Sequence, residues 1–175
     1  MPLPIAHGLL GASIIAAVHP RPKKSFSITL LAGALLANAA DFDFALVFIL
    51  HSKSWHRGFS HSIIFALLVW LVLVLSLGMQ HLRPAIAYGL AFASHGLLDY
   101  VTTKEGGGVG LLWPFSSERL VFGLVGLSEV PSRMPPMEVI KSLGLELLLF
   151  TPPLLLVLGV RQYVSKRVNT AEGAI

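Results

Sequence analysis

Cysteine is absent from all 175 residues. That excludes disulfides, thiol chemistry, Cys-ligated zinc and iron–sulfur clusters. Charge is scarce too. Asp, Glu, Lys and Arg make up only 13% of the chain, against about 25% in a soluble globular domain. Hydrophobic residues make up 54%, and the mean hydropathy is +0.75. So few charges cannot cover so much apolar surface in water. The same figures exclude disorder. The composition predicts an integral membrane protein of one compact domain.

Soluble catalytic motifs are also missing: there is no HExxH, Walker A, GxSxG or dinucleotide fingerprint. The balance of 13 Lys and Arg against 9 Asp and Glu gives a net charge of +4. Such an excess can mark a nucleic-acid binder. Here the basic residues stand in short clusters at the ends of apolar runs: Arg21, Lys23 and Lys24; His81 and Arg83; Arg161, Lys166 and Arg167. Membrane segments are flanked in this way. No stretch resembles a recognition helix or a single-strand platform, so the expected partner is the lipid bilayer and not nucleic acid. In the first stretch the positive charge follows the apolar run, unlike a signal peptide. No twin-arginine or lipidation motif is apparent.

What is there is a series of apolar runs. Residues 5–18 are short for a full span of about 20 residues, and Pro20 and Pro22 stop them. Residues 26–50 hold no basic side chain but are interrupted by Asn38, Asp41 and Asp43. The membrane-like part, 26–40, is expected to end at the acidic pair, leaving 44–50 as a re-entrant or interfacial helix. Residues 51–62, HSKSWHRGFSHS, are the most polar and histidine-rich stretch. Further spans are expected at 63–79, at 85–100 after Arg83 and Pro84, and at 139–160 despite Glu146, Pro152 and Pro153. Residues 101–118 read as a loop, with Trp113 and Pro114 as an interfacial anchor. Residues 120–127 are weakly apolar, and Pro131, Pro135 and Pro136 break the chain between them and the last span. The expected fold is all-α: a polytopic helical membrane protein with four clear spans plus one or two re-entrant or interfacial segments. It forms one domain over 1–168 with a flexible tail at 169–175.

Alternation of these segments sorts the polar residues. If His7 marks one side, the second segment returns Asp41 and Asp43 there, 51–62 stay there, and the fourth span brings His95 and Asp99 back. Arg21, Lys23, Lys24 and Arg83 fall on the other side, which the positive-inside bias makes cytoplasmic.

The gathered residues have a common chemistry. His95 and Asp99 are four apart, on one helix face. A carboxylate in an apolar span is costly unless paired, protonated or coordinated; the alternative is a structural hydrogen bond to His95. Asp41 and Asp43 repel unless a cation or proton lies between them, and their spacing needs an irregular backbone or a helix end. His56 and His61 diverge around a straight helix but converge if Gly58 marks a turn. Arg57 can clamp an anion with its planar fork, and Ser62 can hold a ligand or steady one. Neutral imidazoles mixed with carboxylates suit zinc, manganese or iron. His19, His51 and His81 read as flanking residues.

These motifs, His7, Asp41-Phe42-Asp43, His56-Arg57-Gly58-Phe59-Ser60-His61-Ser62, His95-Gly96-Leu97-Leu98-Asp99 and Leu112-Trp113-Pro114-Phe115, resemble the YdjM-like family of bacterial inner-membrane proteins, described as LexA-regulated, membrane-bound, metal-dependent hydrolases. The resemblance runs over about residues 1–120. One departure is Ala40, where the family usually has a proline. The resemblance implies metal-dependent hydrolysis in the cell inner membrane.

The expectation is therefore a site near the non-cytoplasmic face holding one or two divalent ions, zinc or manganese. His7, Asp41, Asp43, His56, His61, His95 and Asp99 are the expected ligands, more than one zinc needs. Two metals suit phosphoester hydrolysis by activated water. In this reading Arg57 neutralises substrate charge, Asp41 or Asp43 takes the proton from water, and Ser62 assists. The position suits an amphiphilic substrate such as a phospholipid or lipid-linked phosphate. The alternatives are a metal-ion or proton transporter, which also uses buried His and Asp, and a non-catalytic protein with a structural metal.

Overall fold

The computed structural model describes residues 2–20, 25–104, 107–124 and 136–172. Among them the regular structure is helical, with one isolated bridge between Val109 and Leu120. The helices are α1 (Pro4–Val18), α2 (Phe26–Asn38), α3 (Phe44–Ile49), α4 (Ile63–Leu77), α5 (Leu82–Thr102) and α6 (Pro136–Glu172). Short 3-10 turns lie between them, the most consequential at Ala39–Asp43 and Phe59–His61.

Two helical stretches among the described residues are long and apolar enough to cross a membrane by themselves: Phe26–Ile49, 24 residues, and Met137–Arg167, 31 residues. A third arises if Lys53–His61 and Ile63–Leu77, bent by 54°, are taken together. The first departs from the sequence expectation. The helical path does not end at the acidic pair: the 3-10 turn Ala39–Asp43 tightens the backbone without breaking it and joins α2 to α3. α3 buries none of its residues fully; Phe48 and Ile49 are largely exposed, while Phe44 packs on the His56 ring.

α5 has the length of a span, 21 residues, but falls outside that class because it is less apolar. It packs against α1, α2 and α4, and its buried residues include Ala85, Ala87, Gly89, Ala91 and Gly96. Helices in a bilayer pack through small residues that let backbones approach; a central helix therefore trades hydropathy for small side chains.

α1 and α2 meet in the same way. A Cβ added at Gly11 would lie 2.5 Å from the Ala37 Cβ and 2.7 Å from the Gly33 carbonyl oxygen, and one added at Gly33 would run into the Ile15 side chain. Ile15 in turn packs with Ala87 and Ala91 of α5, so the three helices share one core. Ala40, Ala66 and Phe92 form a second cluster nearer the polar end.

α6 is mostly exposed and stays helical through Pro152 and Pro153; membrane helices tolerate such prolines when freed carbonyls find other partners. Two polar residues fasten it to α1. The fully buried Glu146 accepts from the Leu3 and Ala6 amides at the start of α1. Arg161 donates to the carbonyls of Ala16 at 2.7 Å and His19 at 2.8 Å at its end. An anion thus sits at the positive end of the α1 dipole and a cation at the negative end. The two helices consequently run parallel. α6 continues through 169–172 to Glu172, and 173–175 lie outside the described residues. So do the basic cluster Arg21, Lys23 and Lys24, and the prolines Pro131 and Pro135.

Gly33→Ala should destabilise the protein by about 1–3 kcal/mol, the usual result of overpacking, because its methyl meets Ile15. In thermal unfolding of the purified chain, Gly33→Ala with Ile15→Ala should lose less than the sum of the single changes. Strict additivity would contradict the assigned contact.

Candidate metal centre

α1 and α5 bring the first part of the centre. His7 lies in the first turn of α1, and His95 and Asp99 one turn apart near the end of α5. All three are fully buried. The His7 and His95 rings stack with centroids 3.7 Å apart, and His7 Nε2 lies 3.4 Å from Asp99 Oδ1. The His95 Nδ1 proton is donated to the Ala37 carbonyl at 2.7 Å. That leaves the His95 Nε2 lone pair directed inward, 3.3 Å from Asp41 Oδ1.

The 3-10 turn supplies the second part. It is the irregular backbone that the spacing of Asp41 and Asp43 demands, but the two carboxylates do different things. Asp43 is saturated. Its Oδ1 accepts from His56 Nδ1 at 2.9 Å; its Oδ2 accepts from the Arg57 amide at 3.0 Å and from the Ser60 hydroxyl at 2.7 Å. Asp41 Oδ1 has no hydrogen-bond donor. It faces His95 Nε2, His61 Nε2 at 3.6 Å and His56. Asp41 therefore has the open oxygen, and Asp43 holds the connector in shape.

The connector turns at Arg57, whose φ of 57° is left-handed, a conformation that surroundings must over-determine. Here Asp43 binds the Arg57 amide and the Gly110 amide binds the Arg57 carbonyl at 2.8 Å. Arg119 also donates to the carbonyls of His56 and Ser54. Gly110, within the 101–118 stretch expected as a loop, and Arg119 just beyond it thus brace this stretch. The turn brings the His56 and His61 rings to 5.7 Å between centroids. Gly58 starts the Phe59–His61 turn. His61 Nδ1 donates to the Ser60 hydroxyl at 2.9 Å, since that hydroxyl gives its own proton to Asp43. The His61 Nε2 lone pair is left 3.5 Å from Asp99 Oδ2.

Ser62 departs from its expected role. Its hydroxyl accepts from the Phe65 amide at 3.1 Å and donates to the Phe59 carbonyl at 2.7 Å, capping α4. Ser60 stands in the site in its place. Arg57 is buried, with Nε 3.6 Å from Asp99 Oδ2.

All seven expected ligands and Arg57 thus come together, whereas His51 and His81 are exposed and His19 bonds the Pro20 carbonyl. Sequence reasoning missed the Ala37 carbonyl, gave Ser60 no role of its own within the 56–62 motif, and read Glu146 only as an interruption of the last span. The first leaves no trace in side-chain identity; Ser60 stands in the same motif as Ser62.

The electrostatics follow from the tautomers. With Nδ1 protons engaged outward, His61 and His95 turn acceptor lone pairs toward carboxylate acceptors. His7 Nδ1 and Nε2, Asp41 Oδ1, His61 Nε2, His95 Nε2 and both Asp99 oxygens are buried without a hydrogen-bond partner. Where the lone pairs of His61 and His95 face carboxylate oxygens in a buried space, positive charge is required among them, as a metal ion or as added protons. Two groupings bring ligand atoms within 4.8 Å of one another: His7, His95 and Asp99; and Asp41, His56 and His61. Imidazoles whose other nitrogen donates to a carbonyl, hydroxyl or carboxylate are typical of metal-binding histidines. The residues fit a divalent metal.

The sequence pattern of the YdjM inner membrane protein family matches residues 1–166. The inner membrane protein YbcI of Escherichia coli (strain K12) is 36% identical over 123 residues, covering 67% of this chain and 66% of that relative. The match therefore spans just under two thirds of the relative's length. No solved structure matches. The match over 1–166 takes in both groupings and the helices that carry them, and the chain belongs to the YdjM family of inner membrane proteins.

Proposed function

We propose that the chain is a membrane-bound, metal-dependent hydrolase acting on a phosphoester or other ester of an amphiphilic substrate. The observation that carries this reading is the set of buried, unpartnered nitrogen and oxygen atoms turned toward one another. Zinc or manganese, as one ion or two, suits that donor set. Such a metal supplies Lewis acidity and activates water at neutral pH.

The chain's own residues divide the remaining work. His7, His95 and Asp99 are fully buried, while Asp41 and His56 keep 17% and 16% of their side chains accessible. The inner grouping therefore ties α1 to α5, and the outer grouping is where substrate and water arrive. Asp41, whose side chain reaches the accessible edge, takes the proton from water. Asp43 holds His56, Arg57 and Ser60 in register. Arg57, beside Asp99, neutralises charge that develops on the substrate. Clustering at one end of the helices favours this fixed site over a conduction path, which would put polar groups along its length.

In this reading one domain over 1–168 has four clear spans beside the shorter α1, which also runs from one end of the bundle to the other, and the centre lies near the non-cytoplasmic face. The touching His7 and His95 put the end of α1 and the start of α5 at the opposite end, where His19 meets Tyr88. Arg83, Arg161, Lys166 and Arg167 gather at that end, which the positive-inside bias assigns to the cytoplasm.

Three outcomes are expected. The purified chain should hold at least one transition-metal ion, and His61→Ala should lower its content; elemental analysis that finds none after supplying zinc or manganese contradicts the centre. With a panel of phosphatidic acid, lipid pyrophosphates and generic phosphoesters, Arg57→Lys should lower turnover about 10–100-fold at unchanged metal content, while Asp99→Asn lowers both. A parent that keeps its metal yet cleaves nothing supports a structural metal instead. In intact cells an impermeant thiol reagent should label Ser52→Cys and not Ser25→Cys; the reverse pattern inverts the proposed topology.

A further inference from the structure

α1 has no cap of its own. Its N-cap residue is Leu3, whose side chain accepts no hydrogen bond, and Pro4 follows at the first helical position. In a capping box the N-cap side chain accepts from the amide three residues on, and a side chain at that position accepts from the N-cap amide. Here one carboxylate from another helix does both. Glu146 Oε1 accepts from the Leu3 amide, and Oε2 accepts from the Ala6 amide at 3.1 Å. Glu146 is fully buried, although Leu145 and Leu147 beside it on α6 are nearly half exposed. A carboxylate in an apolar membrane helix is costly, and two amides at the positive end of a helix dipole offset that cost.

His7 directly follows Ala6, so this cap bears on the centre. The other histidines there are aimed by bonds of their own: His56 by Asp43, His61 by Ser60 and His95 by the Ala37 carbonyl. Neither ring nitrogen of His7 has a hydrogen-bond partner among the described residues. Its ring stacks on His95, but stacking fixes the plane of a ring better than its height. The height of His7 beside Asp99 therefore follows from where α1 begins. The register of α1 is gripped at both ends. Glu146 and Arg161 stand about 22 Å apart along α6. The groups they bind, the Leu3 amide and the carbonyls of Ala16 and His19, stand about 20–24 Å apart along α1. The matched spacings prevent α1 from sliding against α6.

We propose that Glu146 is a positioning residue of the metal centre: by capping α1 from α6 it sets His7 against Asp99 and His95. Helix α6 carries none of the expected ligands, yet the placement of one of them depends on it. This inference rests on the metal centre of the proposed function and is independent of the bond that the centre cleaves.

The test titrates cobalt(II) alone into the full chain, stripped of metal, in lipid nanodiscs. It reads the visible absorption of the bound ion, which reports the number and kind of its ligands. His7→Ala defines the part of the signal that depends on His7. Glu146→Gln keeps the side-chain shape but puts a donor where one amide needs an acceptor. It should weaken the same cobalt signal about 10–100-fold, the usual loss when a group that orients a ligand is removed. In the His7→Ala background it should cost nothing further, because the residue it acts through is gone. Leu3→Ser gives the Ala6 amide a new acceptor; added to Glu146→Gln, it should restore most of the affinity and the parent spectrum. Gly33→Ala, a packing change away from the centre, should lower stability and leave cobalt affinity unchanged. Should Glu146→Gln fail to fold, Glu146→Asp, which keeps the charge and shortens the reach, takes its place with the same expectations. Unchanged affinity in the Glu146 variant, an equal loss in Gly33→Ala, or an equal loss with and without His7, overturns the positioning role and leaves the centre standing. A cobalt signal that His7→Ala does not alter removes His7 from the centre, and the role of Glu146 with it, while the metal of the outer grouping stands. A parent that binds no cobalt overturns the centre and this inference together.

Discussion

Acceptor atoms facing one another inside an apolar bundle are the constraint on which the rest of the structure depends. His95 Nε2 is turned toward Asp41 because its Nδ1 proton is committed to the Ala37 carbonyl. His61 Nε2 is turned toward Asp99 because its own Nδ1 proton goes to Ser60. Neither arrangement is favourable by itself, since buried lone pairs repel and cannot reach water. In the proposed reading a cation among them would convert repulsion into coordination. It would also link α1 to α5 and the α2–α3 turn to the connector, adding to the bonds that Asp43 makes to His56, Arg57 and Ser60 and that His95 makes to Ala37.

The helices are shaped to deliver this cluster. α5 is central and small-residued, so its polar face can meet α1, α2 and the connector at once. Gly11 and Gly33 bring α1 and α2 together. Glu146 anchors the start of α1, within a turn of His7, and is itself buried and hydrogen-bonded. Position within the bundle therefore explains both the low hydropathy of α5 and the tolerance of a carboxylate in α6.

Much of the site is legible in the sequence because its residues are out of place there. A His or Asp in an apolar run is costly in a membrane, and alternation of the runs sends these residues to one end. The family resemblance is legible from the same motifs, which lie within residues 1–120, and the family match extends it to 1–166. What stays hidden depends on backbone geometry. Asp41 and Asp43 look alike in sequence; only the 3-10 turn shows that one is open and the other saturated by His56, Arg57 and Ser60. Ser62 and Ser60 differ only in that one falls at the α4 cap. The join of α2 to α3 is hidden because an acidic pair ordinarily ends a membrane run, and nothing in composition announces a 3-10 continuation. Glu146 reads as an interruption, since its partners are backbone amides 140 or more positions away.

The central claim is that a metal ion occupies the space those acceptors define. An anomalous difference map, collected on crystals of the metal-supplied protein above and below the zinc or manganese edge, tests it most directly. The account predicts one or two peaks at about 2.0–2.2 Å from inward-facing nitrogens and oxygens of His61, His95, Asp41 and Asp99. Asp43 should remain bonded to Ser60 and the Arg57 amide. An empty cluster under those conditions, with His95 Nε2 bonded instead to a protonated Asp41 or Asp99, would contradict it.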